Sequence, residues 1–109
     1  MAKTAVYWQQ GEALDYENET EEKIPANTVI IFGNRIGVTG GDIAPGELGV
    51  LHMEGVFEIP KKSGEALKAG DNVVFTDKDG IAKATDTIMG YAVEAAAEEA
   101  ATVKVKLLG

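Results

Sequence analysis

Thirteen glycines spread along 109 residues interrupt each apolar run before it grows long. Glycine inside a helix costs about 1 kcal/mol relative to alanine, and it is a strong marker of turns. A chain divided this way is expected to fold as short strands joined by tight turns. Ala5-Val6-Tyr7-Trp8 forms a first strand-like run, ended by Gly11, and Ala13-Leu14-Asp15-Tyr16 alternates as a half-buried strand does. Residues 17–23 carry four glutamates and read as a solvated loop; the Asn18-Glu19-Thr20 sequon within it has no secretion signal to give it meaning. Val29-Ile30-Ile31-Phe32 is apolar throughout, which predicts a strand buried on both faces. Gly33-Asn34 then supplies a hairpin turn into Arg35-Ile36-Gly37-Val38-Thr39.

Further strands are expected at Leu48-Gly49-Val50-Leu51, Gly55-Val56-Phe57-Glu58-Ile59, Asn72-Val73-Val74-Phe75 and Ile81-Ala82-Lys83-Ala84. Residues 61–69 are the best helical candidate, about two turns with Gly70 as the cap. Residues 92–101 are rich in alanine and glutamate, yet strand-like segments flank them. We therefore expect a loop at residues 97–100 joining two antiparallel strands, the second being the alternating Thr102-Val103-Lys104-Val105-Lys106-Leu107. The fold class is all-β and mainly antiparallel: a compact, barrel-like domain with one or two short helical turns. At this length one domain is expected over residues 1–109.

Ile24-x-Ala26 before Ile30-Ile31-Phe32 matches Leu67-x-Ala69 before Val73-Val74-Phe75 at an offset of 43, each continuing through a turn into an Ile-led strand. Met53 and Glu58 are matched by Met89 and Glu94 at an offset of 36. Two related β-units facing each other would give this pattern, and so would the chance recurrence of strand and turn.

Charge narrows the partners. Eighteen acidic against ten basic residues give −8, with a single arginine, Arg35. Nucleic-acid affinity rests on Lys and Arg neutralising phosphates, so neither nucleic acid nor an anionic membrane is an expected partner. No run approaches the ~18 apolar residues a spanning helix needs, and the N-terminus lacks the apolar stretch of a signal peptide. A soluble chain made in a reducing cytoplasm is expected, in keeping with the absence of cysteine.

No residue pattern supports catalysis, a cofactor, a metal or a small-molecule substrate. His52 is the only histidine and Ser63 the only serine, which rules out a two-histidine metal site and leaves a nucleophile without its usual setting. His52 reads as a structural residue of its strand. Gly41 to Gly46 lacks the Lys and Ser or Thr that a phosphate cradle requires. Asp77-Lys78-Asp79-Gly80 has too few acidic ligands for a calcium loop and reads as a hairpin turn. The chain is not expected to be an enzyme. Ala69-Gly70-Asp71-Asn72-Val73 resembles the turn of biotinyl and lipoyl carrier domains, which makes a carrier or adaptor the alternative function. Lys78 sits at a hairpin tip as such a carrier lysine must, but with the wrong flanking residues.

Several segments in order carry a more specific resemblance. They are Gly11-x-x-Leu14-Asp15-Tyr16, Ile24-Pro25-Ala26-Asn27-Thr28-Val29, Arg35-Ile36-Gly37-Val38 and Asp42-Ile43-Ala44-Pro45-Gly46-Glu47-Leu48-Gly49. Glu54-Gly55-Val56-Phe57-Glu58-Ile59-Pro60-Lys61, Ala69-Gly70-Asp71-Asn72-Val73 and Ile88-Met89-Gly90-Tyr91-Ala92-Val93-Glu94-Ala95 complete the series. Together they resemble the trimeric capsid decoration (cement) proteins of tailed bacteriophages. That resemblance implies a homotrimer and a structural role stabilising a phage or prophage head. The trimer would bind major capsid protein on the virion exterior, after synthesis in the bacterial cytoplasm. It implies no catalytic residue.

Residues 1–11 are the candidate contact arm. Val6, Tyr7 and Trp8 within it are the candidate interface residues, since aromatic anchors are enriched at interfaces and chain ends can reach a partner. Ahead of that reading stands the plainer one, that Trp8 fills the core of its own domain.

Overall fold

The computed structural model describes residues 2–109. Nine strands follow one another: β1 Ala13–Glu17, β2 Val29–Phe32, β3 Arg35–Thr39, β4 Leu48–His52, β5 Val56–Pro60, β6 Asn72–Thr76, β7 Gly80–Lys83, β8 Gly90–Ala92 and β9 Thr102–Leu107. They form two sheets, ordered β1-β4-β3-β2 and β5-β9-β8-β6-β7, with antiparallel pairing between all neighbours. The all-β, antiparallel class holds. The barrel is incomplete: the first sheet is open, while the second curls until β5 and β7 meet through one parallel bridge, Lys61 to Ile81. The Lys62 N–H closes that seam on the Ile81 carbonyl at 2.8 Å.

Residues 61–69 form no helix. They run as turn and bridge, and Leu67 exchanges backbone hydrogen bonds with Ala96 at 2.9 Å in both directions. Local propensity loses here to a long-range pairing that satisfies backbone groups two turns of helix could not serve. The expected loop at residues 97–100 does join antiparallel neighbours, β8 and β9. Gly33 has φ 62 and leads the two-residue turn between β2 and β3, a conformation open to glycine at little cost.

The two sheets share one plan. Ile24 bridges Ile43 as Leu67 bridges Ala96. Asn27 (φ 66) donates to the Thr39 carbonyl at 2.9 Å, as Gly70 (φ 90) donates to that of Ala92 at 2.7 Å. Ile30 faces Gly37 as Val73 faces Gly90. The offset is 43 for Ile24, Asn27 and Ile30, and 53 for Gly37, Thr39 and Ile43, so ten residues are added between the halves of the second unit. β7 is that addition. The counterpart of β3 is β8, not the Ile-led strand at Ile81, and the Met53–Met89 match at offset 36 joins positions that are not equivalent. The repeat itself is architectural.

The core runs through both sheets. Ile36 and Val38 of β3 join Ile59, Leu67, Val73, Ile81, Ala92, Val103, Val105 and Leu107 in one buried cluster. Burying such a side chain is worth about 1.5–3 kcal/mol each. Val29–Phe32 is not buried on both faces. It is the edge strand of the first sheet, with Ile31 42% and Phe32 46% exposed. The molecule is flat, 46 × 43 × 20 Å, with a radius of gyration of 15.4 Å against about 13 Å for a compact chain of this length.

Gly90 lies where β8 meets β9 with no room for a side chain. A Cβ there would sit 2.5 Å from the Lys106 carbonyl oxygen and 2.8 Å from Val105 Cγ1. The carbonyl belongs to the sheet and cannot swing away. Gly90→Ala should therefore destabilise the fold by about 1–3 kcal/mol, read as a lowered urea midpoint. Gly41→Ala, with open space around it, should stay within about 0.5 kcal/mol of the parent.

Candidate contact surface

Residues 2–10 precede the first strand and adopt no regular structure. Val6 is 89%, Tyr7 80% and Trp8 86% exposed. Trp8 is thus not a core residue, and the reading that placed it there is overturned. Glycine and acidic residues at 11–12 lead the arm into β1, whose partner β4 holds it from one side only. Three neighbouring large side chains of this kind are thus left largely in solvent by the fold of the single chain.

Other exposed apolar side chains lie on the body. Ile31 and Phe32 stand on the β2 edge, Leu48 and Val50 on β4, and Val56 at the start of β5. The sequence had singled out none of these as contact residues, because an apolar strand residue looks the same whether it faces core or solvent.

The chemistry-bearing residues do not converge. His52 ends β4 with its ring exposed and 6.5 Å from that of Phe57, tilted by 32°. Its expected role as a structural strand residue rests on that contact and on the close approach of its ring to Gly40, where a Cβ would sit 2.8 Å from Nε2. No group of three or more His, Cys, Asp or Glu is placed to hold a metal ion among the described residues. Asp77, Lys78 and Asp79 form the turn between β6 and β7, with the Thr76 hydroxyl accepting from the Asp79 N–H at 3.1 Å. Lys78 is at a hairpin tip, but between two aspartates.

Two polar residues that sequence reading passed over hold the loops that frame the sheets. Asn18, assigned to a solvated loop, is fully buried. Its Nδ2 donates to the carbonyls of Glu22 at 2.8 Å and Ile43 at 2.9 Å, and its Oδ1 accepts from the Thr20 N–H at 2.9 Å. Lys61, assigned to a helix start, is 7% exposed. Its ammonium donates to the carbonyls of Lys62 at 2.8 Å, Glu65, and Glu98 at 3.3 Å. They are the same position of the repeat, 43 residues apart, and each donates to the residue four further on. The offset noted at Ile24 and Leu67 was the signal that could have found them.

Surface ion pairs complete the frame. Lys23 meets Asp42 at 3.5 Å and Lys104 meets Glu94 at 2.8 Å. The Ala26 N–H, and then the Lys23 charge, hold the Asp42 carboxyl below the usual carboxylate range. Such exposed pairs are worth little each.

An exposed aromatic arm and exposed apolar strand residues on a two-sheet antiparallel frame describe a small all-β module. Within that class the sequence comparison is specific. The profile of the phage cement protein family matches residues 8–107, and the chain belongs to that family. Its role is accordingly a structural, capsid-associated one in a bacteriophage, and family membership displaces the carrier-domain alternative. Among solved structures, the head fiber gp8.5 N base of bacteriophage phi29 matches at 19% identity over 87% of this chain and 93% of that one, with a TM-score of 0.45. No curated protein matches the chain.

Proposed function

We propose that this chain forms a homotrimer that binds the outer surface of an assembled phage or prophage head, contacts the major capsid protein there, and stabilises the shell. In this reading residues 1–109 are one decoration module with residues 1–11 as its contact arm; Met1, counted in the arm from the sequence, lies outside the described residues. The observation that carries the proposal is the exposed Val6-Tyr7-Trp8 segment. Burying a Tyr or Trp ring removes about 150–250 Å2 from water, worth about 4–6 kcal/mol at ~25 cal/mol/Å2 before association costs. Repeated over three arms, such contacts add by multivalency. A charge of −8 suits the outside of a head, where the protein does not compete for packaged DNA. The protein would be made in the bacterial cytoplasm and carried on the finished virion.

Light scattering at micromolar concentration should return three times the chain mass, and the protein should co-sediment with empty heads in a saturable way. A monomer that stays in the supernatant would sink the proposal. The proposal also makes the protein non-enzymatic, without cofactor or nucleic-acid partner. No gel shift of duplex DNA should occur at physiological salt with micromolar protein, and no ATP hydrolysis above background. Micromolar DNA affinity would overturn this part.

A further inference from the structure

We infer that the arm of one copy adds as a strand to the open β2 edge of a second copy, so that the copies are joined head to tail by exchanged arms. This rests on the contact-arm reading above and names the surface that receives the arm. Three observations carry it.

First, β2 pairs with β3 on one side only. In a two-residue hairpin the closing pair, Phe32 and Arg35, is hydrogen-bonded, which turns the N–H and C=O groups of Ile31 and Val29 outward. Edge strands in water normally carry charge or proline against unwanted pairing. β1, the other edge of this sheet, has Asp15 and Glu17, whereas Val-Ile-Ile-Phe has neither charge nor proline. An edge left apolar and unguarded is one that a partner strand covers.

Second, the arm fits as that strand. Val, Tyr and Trp favour extended pairing, and residues 1–10 hold one lysine and no acidic residue, while the rest of the chain carries nine basic against eighteen acidic residues, or −9. Between the start of β2 and the tip of the β6–β7 hairpin lies a groove of ≈ 440 Å3 lined by Val29, Pro60 and Phe75 together with Asp77, Lys78 and Asp79. Apolar walls, and a rim whose two carboxylates outnumber its one ammonium, suit a segment carrying Val6, Tyr7, Trp8 and Lys3.

Third, donor and acceptor lie on opposite sides of one sheet. The arm leaves β1, and β2 is three strand spacings away, about 14 Å. A donor on one edge and an acceptor on the other make a heterologous contact, which closes into a ring when its rotation permits. Each copy then gives one arm and receives one.

The chain has no cysteine, so single-cysteine variants report the contact directly. Val6→Cys and Tyr7→Cys, one for each face of the arm, are each co-expressed with an Ile31→Cys copy carrying a different tag. Val56→Cys, another exposed apolar position, replaces Ile31→Cys as the control. Under mild oxidation the arm–Ile31 pair should give a disulfide-linked dimer in at least about tenfold excess over the control, since a seated strand holds the two sulfurs at millimolar effective concentration. No excess, in a protein that still needs its arm to form trimers, overturns the β2 acceptor while the arm reading survives. A Tyr7→Cys, Ile31→Cys double variant that cross-links only within its own chain also overturns it. If trimers and head binding persist without the arm, the arm reading falls with it.

Discussion

Lys61→Met should lower the stability of the folded chain by about 3 kcal/mol or more, a large share of the ~5–15 kcal/mol available to a domain. Methionine keeps the apolar stem and removes the ammonium, leaving the carbonyls of Lys62, Glu65 and Glu98 without the donor that joins them. Hydrogen bonds to a charged group contribute about 1.5–3 kcal/mol each, not additively, and a buried acceptor left unpaired costs a further amount of similar size. Those three carbonyls belong to segments that close the seam between β5, β7 and the loop before β9, so their release should open the second sheet. Asn18→Leu should act on the first unit in the same way, by about 2–3 kcal/mol, because four-way satisfaction of a buried amide is lost. Urea unfolding followed by tyrosine and tryptophan fluorescence or circular dichroism reads both. Lys62→Met, at an exposed neighbour, is the control and should shift stability by no more than about 0.5 kcal/mol. A Lys61→Met midpoint equal to that of the control would show that the buried ammonium does not hold the seam.

Deletion of residues 2–9 should have the opposite profile. The removed side chains are exposed, so the urea midpoint should move by less than about 1 kcal/mol. Assembly should fail, because interface aromatics cost about 2–4 kcal/mol each when lost, or roughly 30- to 1000-fold in affinity per ring. The expected product is a folded monomer that no longer decorates heads. A misfolded product would return Trp8 to the core, against its exposure; a folded trimer that binds heads at full affinity would refute the arm altogether. Trp8→Ala alone should fall between, with normal stability and weakened assembly.

The pair of predictions separates what sequence made legible from what it did not. Strand positions were readable because glycine and turn residues mark boundaries locally, and all nine strands fall on expected runs, β8 on the strand-like Gly90-Tyr91-Ala92 that precedes the alanine-rich segment. Exposure was not readable. Val29–Phe32 has the composition of a central strand and lies at an edge, a distinction set by which neighbour is present on the far side. The arm shows the same limit in reverse: Val6-Tyr7-Trp8 has strand composition but finds no partner within its own chain. Residues 61–69 failed as a helix because Lys61 and Leu67 are held by residues 37 and 29 positions further on, Glu98 and Ala96. Asn18 is buried by the carbonyl of Ile43, 25 residues away. Such long-range partners leave no local periodicity. The internal repeat was the one non-local signal in the sequence, and its second half was misaligned because β7 interrupts it.

Imaging of heads prepared without this protein, before and after addition of the purified chain, tests the central proposal most directly. The expected result is new density on the outer surface in threefold clusters at repeated lattice positions, saturating with added protein and absent when residues 2–9 are removed. Heads that remain bare at saturating concentrations of folded protein, or density found only on the inner surface, would contradict it.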